Sequence, residues 1–189
     1  MLINLSLRRT TGAQDLVDLL GRCHLRIRHF VALACEIAHR REASPDQVTQ
    51  ACADAARYFS EALPLHIADE EESIAPRLRG LRPEVDDALD AMSAQHGHHA
   101  PQLELLLCAL AEVRRAPFDE NARAELAAVA GPLKAEFEEH LALEERLIFP
   151  VIRQTLPQET QALIIDELRR RRRAPRRETR SGATQEDEP

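Results

Sequence analysis

The chain has 189 residues, 44% of them apolar, with six glycines, 11 prolines, no tryptophan and a single tyrosine. This fits one Ala/Leu/Glu/Arg-rich helical protein large enough to bury a core. The formal charge is −7; residues 169–189 hold eight arginines against four acids, so residues 1–168 carry −11, which argues against nucleic acid as a partner of the folded part.

Met1 to Leu7 is too short an apolar run for a signal peptide, and Arg8 and Arg9 follow it instead of preceding it. Residues 1–11 read as an N-terminal extension. Thr11-x-x-Gln14 reads as a capping box that opens a helix to about Glu42. Its stripe is Leu16, Leu20, Ile27, Val31, Ala34 and Ala38, with His24 set inside it. Ser44 and Pro45 start a second helix to about Arg79, in which Pro64 predicts a kink just ahead of His66. Gly80 to Pro83 turns into a third helix to about Arg115, where Leu89, Met92, His96, His99, Leu103, Leu106 and Leu110 recur at steps of three and four. Pro101 disturbs its middle. Asp119 caps a fourth helix from about Glu120 to Phe149, with a kink expected at Gly131-Pro132. Residues 156–170 read as a short packing helix carrying Leu163, Ile164 and Leu168, and residues 171–189 as a disordered tail, arginine-rich and then acidic. No stretch is long enough to span a membrane, so a soluble, cytoplasmic protein with no membrane partner is expected. The cysteines, Cys23, Cys35, Cys52 and Cys108, show no C-x-x-C spacing. Cys35 and Cys108 lie in apolar runs, which predicts reduced core thiols.

One stretch occurs twice. His66-Ile67-Ala68-Asp69-Glu70-Glu71 ends in Pro76, and His140-Leu141-Ala142-Leu143-Glu144-Glu145 ends in Pro150. Residues four apart share a helix face, so each copy aims an imidazole and a carboxylate the same way. Both pairs sit inside apolar stripes: Leu63, Ile67 and Ile74 in the first, Phe137, Leu141, Leu147 and Ile148 in the second. Either pair alone could be a surface pair. Two carboxylates in positions that normally hold leucine are costly unless paired, protonated or metal-bound, and together they point to a metal site inside a helical bundle. Asp69, Glu71, Glu72 and Glu145 read as a solvated acidic face, with Glu71 and Glu145 able to support ligand imidazoles.

Helix lengths test this idea. His24 and His66 are each about 30 Å from the turn between them, at 1.5 Å per residue. His66 and His96 are each roughly 20 Å from theirs, and His96 and His140 each roughly 30 Å. In an all-α, up-down-up-down four-helix bundle the four histidines therefore share one level. The spacing repeats as well: His24 to His66 is 42 residues and His96 to His140 is 44, as for two helical hairpins of one plan.

With these residues in place, residues 12–155 resemble the hemerythrin-like family, the histidine-histidine-glutamate cation-binding domain. The resemblance implies a four-helix bundle around a non-haem di-iron centre. The implied metal ligands are His24, His66, Glu70, His96, His140 and Glu144, the glutamates bridging two iron ions. Imidazole and carboxylate together suit iron. Oxygen-carrying members have a further histidine where this chain has Ala100, with His99 one residue short, and use an acid at the position of Glu145. The set here resembles the more open site of iron- and oxygen-sensing relatives. The expected function is binding or sensing of O2 or iron, a binding protein more than a catalyst, with a small ligand such as O2 and an unidentified signalling protein as partners. The alternatives are a di-iron oxidoreductase acting on peroxide or nitric oxide, and a metal-free or zinc-bound helical interaction module.

Overall fold

The computed structural model describes residues 15–173. Among them are five helices and no strand: α1 (Leu16–His39), α2 (45–78), α3 (Pro83–Arg115), α4 (120–155) and α5 (Gln158–Arg173). None is long and apolar enough to cross a membrane.

The helix starts are fixed by local chemistry. Asp15 caps α1, its carboxylate accepting from the Val17 N–H at 2.8 Å; the box expected at Thr11 to Gln14 lies outside the described residues. Ser44 and Gln47 form a reciprocal capping box on α2. Asp119 accepts from Asn121 and Ala122 N–H groups at 2.9 Å each and opens α4. Gly80, at φ 81°, makes the turn into α3 in a conformation that suits glycine.

Three segments widen into π turns, Tyr58–Ala62 and Asp69–Ile74 in α2 and Glu144–Ile148 in α4. Each is followed, two residues later, by a proline: Pro64, Pro76 and Pro150. A proline ring crowds the carbonyl four residues back and offers no N–H to it. The preceding residue instead bonds five back, as Leu63 N–H does to Tyr58 O, Ala75 to Glu70 and Phe149 to Glu144. Pro101 and Pro132, where the sequence predicted distortion, lie inside unbroken α-helical stretches.

Side-chain pairs show how the helices run. Along α1 and just past its end, Asp18, His24, Arg28 and Arg41 meet Arg153, Glu145, Glu138 and Glu120 in turn, so α1 and α4 are antiparallel. Glu71 and Arg79 of α2 meet Ser93 and Asp90 of α3, and Gln95 and Gln102 of α3 meet His140 and Glu136 of α4, again in opposite senses. Two apolar cores form between them. One gathers Ile27, Val31, Phe59, Leu106, Leu110, Leu133 and Phe137; the other gathers Leu16, Leu20, Ile74, Leu89, Met92, Ile152, Ile164 and Leu168. His24 lies between Leu20 of the second and Ile27 of the first, so the histidine level is the seam between the cores.

Some expectations change. Cys108 is exposed and Cys35 half-buried, so of the cysteines only Cys52 is a buried core residue. Leu163 is exposed, and α5 packs through Ile164, Ile165 and Leu168 instead. Leu147 is also exposed, because the π turn at Glu144–Ile148 carries it off the apolar stripe. Helix α5 runs three residues past the expected boundary, to Arg173; residues 174–189 of the expected tail lie outside the described residues.

Candidate metal centre

The structure brings all six predicted residues together. His24 comes from α1, His66 and Glu70 from α2, His96 from α3, and His140 and Glu144 from α4, and every one is buried. Their donor atoms form two groups, His24, His66, Glu70 and Glu144 on one side, Glu70, His96, His140 and Glu144 on the other. Within each group one donor atom per residue lies within 4.8 Å of the rest. Both glutamates belong to both groups.

The carboxylates divide their oxygens between the two sides. Glu70 turns Oε1 to His66 Nε2 at 3.1 Å and Oε2 to His96 Nε2 at 3.4 Å. Glu144 turns Oε2 to His24 Nε2 at 3.0 Å and Oε1 to His140 Nε2 at 3.2 Å. Despite this closeness, both oxygens of each glutamate and the Nε2 atoms of His24, His66 and His96 have no hydrogen-bond partner. Buried polar atoms are almost always satisfied, and such a convergence of unsatisfied donor atoms is what a cation would resolve. The separations fit as well, since two neighbouring ligands about 2.1 Å from one ion stand about 3 Å apart.

Three imidazoles are held from behind. His24 Nδ1 donates to Glu145 Oε1 at 2.8 Å, His96 Nδ1 to Glu71 Oε1 at 2.9 Å and His140 Nδ1 to Gln95 Oε1 at 2.9 Å. A neutral ring that donates from Nδ1 presents a bare Nε2 lone pair to the pocket. Glu145 is itself fixed by Arg28 at 2.8 Å. Glu71 and Glu145 thus act as supports, as their spacing suggested, and Glu145 is not a member of either group.

The electrostatics of the metal-free pocket are strained. Burial opposes a charged His24, but Glu144 and Glu70 outweigh it and raise the ring to about 10. Burial likewise opposes a charge on His96, yet Glu70 and Glu71 hold it at about 9. His140, buried among other imidazoles, is pushed down to about 3. Burial and the neighbouring Glu70 charge push Glu144 upward, while Glu70 is held well down, its burial outweighed by His66, His24 and His96. Two carboxylates in one pocket resist ionising together.

His99 is buried but belongs to neither group. Its ring packs on Phe137 and His140, with centroids 4.9 and 5.4 Å away, and its Nε2 is 3.9 Å from Glu136. His98, His29 and His39 are exposed. Asp69 corrects the sequence reading. Expected on a solvated face, it is fully buried, with Oδ1 and Oδ2 accepting from Arg171 and Arg172 of α5 at 2.5 Å each. A signal was present: Asp69 occupies the position of Leu143 in the second copy, one step before the glutamate of the His-x-x-x-Glu pair. Gln95 was missed because its role depends on a residue 45 positions away.

The family model of the hemerythrin HHE cation-binding domain matches residues 15–152 and, overlapping, residues 87–179. No curated protein matches the chain significantly. The first match takes in α1 to α4 almost entire, with all six pocket residues inside it, and on that ground the chain belongs to the hemerythrin HHE cation-binding domain family.

Proposed function

We propose that this chain is a non-haem di-iron protein that binds or senses O2 or iron, with α1 to α4 as an up-down-up-down four-helix bundle. The observation that carries the reading is the division of oxygens: Glu70 faces His24 and His66 with one and His96 with the other, and Glu144 faces His24 with one and His140 with the other. That arrangement suits two ions bridged by two carboxylates, the pattern of dinuclear bundles. His24 and His66 would complete one side and His96 and His140 the other.

Four nitrogens and four oxygens are fewer donors than two six-coordinate ions require, so positions remain for a small ligand. Bound iron supplies a redox-active Lewis acid for O2 or a related small oxidant. The chain's own part is to aim the imidazoles through Glu145, Glu71 and Gln95, and to exclude bulk water with the apolar cores on either side. The reading extends to a cytoplasmic location and, for a sensor, to a separate signalling partner.

Full-length protein purified from iron-replete cells should carry about two irons per chain by elemental analysis. Oxidation should add a charge-transfer band in the near ultraviolet. Protein without metal and without the band removes the proposal, and zinc in place of iron supports the interaction-module alternative. A cavity of about 310 Å³ reaching His66 favours, as a second reading, turnover of peroxide or nitric oxide; an assay of their consumption separates the two.

A further inference from the structure

Three of the four pocket imidazoles have an oxygen acceptor for Nδ1. His66 has none: its Nδ1 is unsatisfied although the residue is 2% exposed. The Cys23 thiol is this ring's neighbour instead, and it interacts with the Arg172 guanidinium as well. Cys23 and His66 line the same cavity of about 310 Å³, together with Arg26, Tyr58 and Arg172. A water molecule's share of volume is about 30 Å³, so the cavity admits a molecule of peroxide size. The other cysteines are placed differently: Cys35 donates to Ala130 O at 3.4 Å, Cys52 is buried in the core, and Cys108 is exposed on the surface.

We propose that Cys23 is an oxidation site for small peroxides, and that its oxidation tightens metal binding by giving His66 Nδ1 the oxygen acceptor it lacks. The inference rests on the metal-binding reading above. One thiol and one hydrogen peroxide give a sulfenic acid and water. The O–O bond breaks, an S–O bond forms, sulfur loses two electrons, and the thiol proton leaves with the departing oxygen as water. A thiol sulfur is a weak acceptor. The new oxygen is a stronger one, and the unsatisfied His66 Nδ1–H draws it toward the ring. The cavity beside both side chains leaves room for that oxygen, which then holds the imidazole from behind as Glu145, Glu71 and Gln95 hold the other three. Groups that hold a ligand histidine from behind typically contribute about 10–100-fold to metal affinity.

The test uses the full-length chain, stripped of metal by a chelator, treated with hydrogen peroxide, cleared with catalase and then titrated anaerobically with ferrous iron. Mass spectrometry should find oxygen on Cys23, and iron affinity should rise by about tenfold. Cys108→Ser should respond as the unsubstituted chain does. Cys23→Ser, whose hydroxyl supplies an oxygen acceptor without oxidation, should bind iron more tightly than the untreated chain and show no change after peroxide, whereas Cys23→Ala should bind iron as the untreated chain does and also show no change. Oxidation of Cys108 with Cys23 untouched overturns the proposal, as does oxidised Cys23 with unchanged iron affinity. A chain that takes up no iron before treatment overturns the metal reading and this inference together, which separates that failure from the other two.

Discussion

Glu70 and Glu144 face each other across a pocket closed to water, and the metal-free chain must hold both there with four imidazoles for company. The two states of the protein therefore make opposite demands on Glu144. A carboxyl group whose folded value is pushed above its ordinary one lowers stability as pH rises through that range, because the folded chain resists losing the proton. Glu144→Gln removes this burden. The metal-free variant should be more stable than the unsubstituted chain at pH 8, by ~1 kcal/mol in urea unfolding, while its metal content falls by half or more on elemental analysis. Lower stability combined with full metal loading would contradict the assignment of Glu144. The imidazoles carry a second consequence. With His24 held at about 10 and His96 at about 9, both rings are protonated at pH 7, and Nε2 is free only after the proton leaves. Metal uptake at pH 7 should release at least two protons, from His24 and His96, with a further share from Glu144 and His66, which are also raised, and affinity should rise with pH until roughly the same range. Calorimetric titration in two buffers of different ionisation heat reads the proton count directly.

Among the elements, α2 and α5 show how a local pattern and a distant one combine. The paired i,i+4 histidines and glutamates, the capped starts of α2 and α4 and the shared histidine level were legible in the sequence, because each depends on spacing along one helix or on helix length. The π turns were not. A proline at Pro76 or Pro150 signals strain, but whether the helix kinks or takes in an extra residue depends on what packs against it, and Pro101 and Pro132 leave α-helix unbroken. Asp69 was misread for a similar reason, since its partners Arg171 and Arg172 are 102 and 103 residues away. The π turn at Asp69–Ile74 buries two faces at once: Glu70 and Ile74 toward the pocket and core, Asp69 and Ser73 toward α5. Arg171 reaches Asp69, Glu72 and Ser73, and Arg77 returns the contact to Glu167 at 2.6 Å. Removing both arginines leaves a carboxylate with 0% exposed surface and no counter-charge. Breaking such a pair costs about 3–5 kcal/mol, and Arg171→Ala/Arg172→Ala should approach the lower end because those side chains are 19% and 37% exposed. Asp69→Leu, which copies Leu143 of the second stretch, should cost clearly less, since the freed guanidinium groups can turn to water. Urea unfolding of the two variants checks the order, and equal losses would mean that α5 is held by its apolar face alone.

At the scale of the whole molecule the pocket is the seam between two apolar cores, each with its own set of fully buried leucines, isoleucines and valines. Burial of such a side chain is worth about 1.5–3 kcal/mol, and neither core draws on the pocket residues for that contribution. The metal-free chain should therefore remain helical and folded, with its weakest layer at the histidine level, where polar atoms lack partners. A metal binds only the folded arrangement, because His24 and Glu144 come together only through tertiary structure, so occupancy stabilises by mass action. At a hundredfold excess over the dissociation constant that is about 2.7 kcal/mol, which for a chain of this size corresponds to a Tm higher by roughly 5–10 °C. Scanning calorimetry before and after chelation should show that shift with far-ultraviolet circular dichroism unchanged at 25 °C. The shape of the metal-free transition carries further information. All four long helices run through both cores, so the cores share every backbone that leaves the pocket, and loosening the seam should lower the Tm without dividing the transition. A single cooperative peak after chelation is the expected result. Two resolved peaks would show instead that the metal is the main tie between the halves, and Glu144→Gln, which relaxes the metal-free seam, should then bring the peaks closer together.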